Sequence, residues 1–147
     1  MYTIGKVSKM FNLPISTLRY YDKEGFFPNI KRKGNIRYFG ETELEAIRVI
    51  ECLKKSDLEI KDNKQFFIWF SEGASTLKNR QELFKNRKLV VENKIKQLEK
   101  ALSMIKFKCW YYDTLVENQE KGIDDPVVDL GTMPDEIKKY YDHAHEE

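Results

Sequence analysis

A chain of 147 residues, 41% hydrophobic and 34% charged, has the composition of a folded, helix-rich protein, with room for one ordinary domain or a small head with a helical extension. Its longest unbroken apolar run, residues 66–70, is too short to span a bilayer, the first residues lack a secretory pattern, and the two cysteines, Cys52 and Cys109, make no disulfide framework, so a cytoplasmic protein with no membrane partner is expected. The net charge of +2 conceals a split: residues 1–40 hold eight Lys or Arg against two acids, the other 107 residues 18 against 22, so one end suits a polyanion.

Thr3 is placed to cap a short helix beginning near Ile4, with Ile4, Val7, Met10 and Phe11 at helical spacing. Asn12-Leu13-Pro14 interrupts it as a short turn. A second helix is expected over residues 15–24, with Leu18 pointing inward and Gly25 where a left-handed C-terminal cap is wanted. Two short helices joined by a tight turn are the helix-turn-helix pattern. Phe26-Phe27-Pro28 should close the core. Gly34-Asn35, between strand-capable residues 31–33 and 36–39, signals a small β-wing.

A helix over residues 41–55 follows, with Leu44, Ile47, Ile50 and Leu53 on one face. The next helix starts near residues 57–60 and carries Phe66, Phe67, Trp69 and Phe70 to Gly73. Its wholly polar stretch, Lys61-Asp62-Asn63-Lys64, predicts a break or only partial burial. From residue 75 or 76 to about 120 there is neither Pro nor Gly. Val91, Ile95, Leu98, Leu102, Ile105, Cys109, Tyr112 and Val116 recur there in alternating steps of four and three, an a/d seam. A helix of about 40 residues is roughly 60 Å long. A head of about 70 residues cannot cover that stripe, so its natural partner is the same helix of a second copy. Residues 117–147 hold ten acids and three Lys; Met133-Pro134-Asp135 starts a last short helix through Tyr140 and Tyr141.

The expected architecture is therefore mainly α: a winged helix-turn-helix DNA-binding head with a small β-wing over residues 1–73, a long antiparallel coiled-coil dimerisation helix over 74–121, and a short acidic tail or effector segment over 122–147. On the second helix, Ser16, Thr17, Arg19 and Tyr20 supply the small polar and long basic side chains that suit base edges. Lys31, Arg32, Asn35, Arg37 and Tyr38 of the wing would flank the groove and hold phosphates. Tyr21 has two readings, core packing and DNA contact.

The run Thr17-Leu18-Arg19-Tyr20-Tyr21-Asp22, with Tyr2-Thr3-Ile4-Gly5-Lys6-Val7 before it and Ile36-Arg37-Tyr38-Phe39 after it, resembles the MerR family of regulators, motif by motif over residues 1–72. The resemblance implies a homodimer on a pseudo-palindromic promoter with an overlong spacer. An effector makes such a dimer bend and untwist the spacer for RNA polymerase, and the effector site lies near the end of the dimer helix, against the partner's head.

Metal-sensing relatives use a thiol at the start of that helix and a Cys pair at its end. Here those places hold Ser75-Thr76-Leu77 and the single Cys109, so no metal and no cofactor are expected. The tail's Asp142-His143-Ala144-His145-Glu146 is read as a frayed terminus rather than a chelate. Cys52, in Ile50-Glu51-Cys52-Leu53, resembles with the Phe70-Ser71-Glu72-Gly73 junction the single-cysteine NmlR/AdhR-type subgroup, which answers small electrophiles in a stress response; its alternative is a small buried hydrophobe. Phe107, Trp110, Tyr111, Tyr112 and Tyr140, beside Cys109, offer a small organic effector a pocket, or pack against the partner's head. No catalytic constellation stands out, so no enzyme is expected. The alternative function is an excisionase-like architectural protein that bends DNA without sensing.

Overall fold

The computed structural model describes residues 1–147, the Ile60 side chain excepted. Three short strands and six α-helices alternate in the order β1 (Tyr2–Thr3), α1 (Ile4–Phe11), α2 (Ile15–Lys23), β2 (Lys31–Lys33), β3 (Ile36–Phe39), α3 (Glu41–Lys55), α4 (Ile60–Ser71), α5 (Leu77–Glu120) and α6 (Asp135–Ala144). The chain divides into two compact units, Met1–Arg87 and Lys88–Glu147.

In the first unit, the Thr3 hydroxyl accepts from the Lys6 N–H and caps α1. Asn12 ends it in the left-handed region, φ 53°, and its N–H returns to the Ser8 carbonyl. Pro14 then opens α2, where its missing N–H costs no helical bond. Gly25, at φ 88°, turns the chain away from the end of α2, which carries Phe26 and Phe27 into the core.

β1, β3 and β2 lie side by side in that order, all antiparallel. Strand β1 is not legible in the sequence, because two residues carry no alternation. Gly34 takes φ 64° at the first loop position of the hairpin, where a type II′ turn needs its glycine. Behind the sheet, Val7, Leu18, Phe39, Leu44, Ile47, Ile50 and Leu53 form one buried cluster with Tyr21, Phe26, Phe66 and Phe67. Burying each such side chain favours the fold by about 1.5–3 kcal/mol.

Of the two alternatives for Lys61-Asp62-Asn63-Lys64, a break or partial burial, the structure takes partial burial, and the helix is continuous through them. Three of those four residues are solvated, and Asn63 is fully buried on the face shared with Phe66 and Phe67. A polar run is no obstacle to a helix when only one of its members must face inward. A 3₁₀ turn, Gly73–Thr76, links α4 to α5. There the Thr76 hydroxyl donates to the Trp69 and Gly73 carbonyls. The first turns of α5 join this unit through Phe84 against Phe66, ring centroids 5.7 Å apart, and through Arg87, which donates to the Ser56 carbonyl.

In the second unit, α5 ends at Glu120 and Gly122 takes φ 89°. The tail is not a frayed terminus. It forms a 3₁₀ turn, Leu130–Thr132, and then α6. Helix α6 packs back on α5 with Tyr141 against Phe107, centroids 5.0 Å apart, and with His143 Nδ1 2.7 Å from the Ser103 hydroxyl. Phe107 and Ser103 are thereby buried. The aromatic run at 107–112 misses this in the sequence because it announces apolar surface, not what will cover it.

Candidate nucleic-acid interface

Helix α2 buries Leu18 and Tyr21 and turns Ser16, Arg19 and Tyr20 outward, with Thr17 half-buried. Ser16, Arg19, Tyr20 and Lys23 fall at positions i, i+3, i+4 and i+7, one face of the helix. The motif does not single out Lys23; its spacing from Ser16 is the signal that finds it.

Of the two readings left open for Tyr21, the structure takes the core. The ring is 2% exposed, and its hydroxyl donates to Glu51 Oε1 at 2.8 Å. Burial first, and then the bond to Glu51, hold the phenol well above the usual tyrosine range. The ring therefore has no surface to offer a base edge.

The hairpin register sets Arg32 directly opposite Arg37, a like-charge pair that by itself weakens a sheet. Asp22, at the end of α2, resolves it. Arg32 Nη2 and Arg37 Nε each donate to Asp22 Oδ2 at 2.6 Å. One carboxylate thus ties the wing to the recognition helix and neutralises part of its charge. Asp22 stands in the sequence motif, but its role is not legible there, because its partners lie ten and fifteen residues away. Lys31, Lys33 and Asn35 are exposed along the hairpin, while Arg37 and Tyr38 are half-buried. The result is a cationic surface: an outward helix face beside a basic ribbon. An exposed helix face and a basic hairpin are the elements that meet a duplex groove and its flanking phosphates.

Cys52 and Cys109 are both exposed thiols. The reading of Cys52 as a small buried hydrophobe is therefore corrected: on α3 the inward positions go to Ile50 and Leu53, and Cys52 falls outside them. Among the described residues no group of three His, Cys, Asp or Glu is placed to hold a metal ion. His143 and His145 of the tail face Ser103 and the Tyr141 carbonyl. Trp110 and Tyr111 are half-buried beside Phe107, whose ring also packs against Tyr141 of α6.

Residues 2–67 match the family model for the MerR HTH family regulatory protein. An HTH-type transcriptional regulator of Haemophilus influenzae is 34% identical over 113 residues, covering 76% of this chain and 83% of the relative. The chain belongs to the MerR family. Among solved structures, a MerR-family transcriptional regulator from Bacillus thuringiensis shares 42% identity with a TM-score of 0.65, over 74% of this chain and 96% of that one. HiNmlR, described as a MerR family regulator lacking the sensor domain and bound to promoter DNA, shares 32% identity with a TM-score of 0.68, over 76% and 90% of the two chains. This MerR-family chain is thus a transcriptional regulator and not an enzyme. No helix among the described residues is long and apolar enough to cross a membrane.

Proposed function

We propose that two copies of this chain form an antiparallel coiled-coil dimer that binds a pseudo-palindromic promoter in the cytoplasm. The dimer switches RNA polymerase there by bending and untwisting the spacer DNA when a small electrophile or organic effector arrives. In this reading residues 1–73 are the DNA-binding head, 74–121 the dimerisation helix and 122–147 an acidic effector segment. Ser16, Thr17, Arg19 and Tyr20 enter the major groove, and Lys31, Arg32, Asn35, Arg37 and Tyr38 follow the phosphates. Cys52, an exposed thiol, is the candidate for an electrophile; Cys109, Trp110 and Tyr111 mark the other candidate region.

One observation carries the dimer. Ile95, Leu98, Leu102, Ile105, Tyr112 and Val116 are all exposed along one stripe of α5, and α6 covers a different face, over Ser103 and Phe107. A stripe of that length on a single chain is an exposed apolar patch of the kind that marks an interface. Charge favours antiparallel pairing: residues 77–108 hold ten Lys or Arg and three acids, and residues 109–120 hold three acids and no Lys or Arg. Antiparallel helices bring unlike ends together.

Sedimentation equilibrium and footprinting on the DNA upstream of the chain's own gene test the reading. A dimer protecting two half-sites about one helical turn, or a multiple of it, apart is expected. A monomer, or no protection at modest ionic strength, overturns it.

A further inference from the structure

Helix α4 is the poorly held element of the first unit. Asn63 is 0% exposed, and neither its Nδ2 nor its Oδ1 has a hydrogen-bond partner. Burying an amide unpaired opposes the packed state, and buried polar side chains are paired as a rule. Among the described residues the other such atom is Arg80 Nε, in the first turn of α5; the Nη2 of the same guanidinium donates to the Gly73 carbonyl at 2.7 Å. Every buried, unpaired side-chain atom among the described residues therefore lies in α4 or in the elbow that carries it into α5. Helix α4 also starts without a side-chain cap, whereas Thr3 caps α1 and Glu43 caps α3.

This weak helix grips the end of the recognition helix. Lys64, next to Asn63, sets its Nζ 2.6 Å from Glu24 Oε2, and Glu24 is the C-terminal cap of α2. One turn on, Phe67 packs against Phe26, ring centroids 4.8 Å apart. A cleft of about 280 Å³, lined by Gly25, Phe26, Pro28, Phe67 and Ile68 among others, runs between α4 and the chain leaving α2. It leaves α4 room to shift, and any shift acts on α2 through Glu24 and Phe26.

We propose that α4 is a release built into the head: Asn63 keeps its seat marginal, so α4 opens before α3 does, and its opening frees the end of the recognition helix. The release itself needs neither DNA nor a second copy. Its use in regulation rests on the promoter switch proposed above, where a change in α5 reaches the bases by unseating α4.

The test is native-state hydrogen exchange by NMR on the full chain without DNA, with Asn63→Leu and Asn63→Ala. Amides of residues 64–70 in the native chain are expected to be protected at least about tenfold less than those of residues 47–53 in α3. Asn63→Leu should slow α4 exchange by about tenfold or more and raise the thermal midpoint. It should also slow the amides of Glu24 and Gly25, whose bonds close α2. Asn63→Ala removes the amide and adds no bulk, so its midpoint should stay at or above the native one even if leucine does not fit. A lower midpoint in both variants means that the amide is satisfied in place, and overturns the proposal. Equal protection of α4 and α3 in the native chain overturns it as well, and slowing of α4 without Glu24 and Gly25 overturns the link to α2. Footprinting with and without an aldehyde separates the two readings: Asn63→Leu is expected to keep the protected site and lose the aldehyde-dependent change. A full response in that variant overturns the regulatory use. No response in the native chain counts against the promoter switch, and the exchange results still decide the release.

Discussion

At the scale of single residues, Asp22 carries the most consequence for the smallest visible signal. It holds two arginines that the hairpin register forces together. Asp22→Asn removes the charge but keeps the shape, so both guanidiniums lose their anchor and the wing loosens from α2. Attraction for any polyanion survives or rises, while the fixed geometry that reads one sequence is lost. The ratio of promoter to unrelated-duplex affinity is expected to fall about tenfold, within the range one misplaced contact set costs, as measured by competition anisotropy. Tyr21 makes a second case. Its phenol pKa is raised in the fold, so its contribution to stability is complete below the ordinary tyrosine range and drains away as pH climbs above about 10. Denaturant titrations at alkaline pH should show stability falling more steeply for the native chain than for Tyr21→Phe, by up to about 1.4 kcal/mol per pH unit. Near neutrality that substitution removes one hydrogen bond, about 1 kcal/mol. The inward place of Leu18 was legible from period alone. The choice for Tyr21 was not, because it required Glu51, thirty residues away, and neither was the exposure of Cys52, which turns on which side of α3 faces the core.

At the scale of elements, legibility follows local signal. The boundaries of α1, α2, α3 and α5 follow from caps, prolines and glycines that act within a turn or two of the chain. β1 exists only because β3 is there to pair with it, which is not written locally. The start of α6 was legible from Pro134 and Asp135, but its packing on Phe107 and Ser103 was not. The same reasoning divides α5 into two faces with different jobs, which makes a paired prediction. Leu98 is 69% exposed in the single chain and lies on the seam; Phe107 is buried beneath Tyr141. Leu98→Asp puts a charge into the apolar stripe of both copies and is expected to raise the dimer dissociation constant at least a hundredfold, with helicity of the monomer retained. Phe107→Ala is expected to leave the dimer constant within a few fold and to release α6, read as faster amide exchange over residues 135–144. Sedimentation and hydrogen exchange on the two variants separate the faces. Equal loss of dimer in both would mean that α6 and the seam are one surface.

For the whole molecule, the division of charge matters more than the net of +2. The cationic head must release counterions when it meets DNA, and a dimer does so twice. Each phosphate contact contributes about −0.9 to the slope of log affinity against log salt. Lys31→Ala deletes one exposed contact per head, so the slope should become shallower by about two units in the dimer, with affinity lost evenly across sequences. Arg19 faces outward on α2 where base edges are reached. Arg19→Ala should instead cost discrimination, about 1–3 kcal/mol per half-site for the preferred duplex and less for an unrelated one. Filter binding over a salt series on both duplexes measures slope and ratio together. A chain that only bent DNA, as an excisionase-like protein does, would show the lysine effect while lacking an effector-dependent change in either quantity. Repeating the series after exposure to an aldehyde, with Cys52→Ser alongside, distinguishes the two functions. A Cys52 sensor's affinity or protection pattern moves in the native chain and stays still in the variant, because the Cys52 thiol alone has been removed while Cys109 remains. If both chains behave alike, Cys52 carries no signal, and the region around Cys109, Trp110 and Tyr111 becomes the place to look.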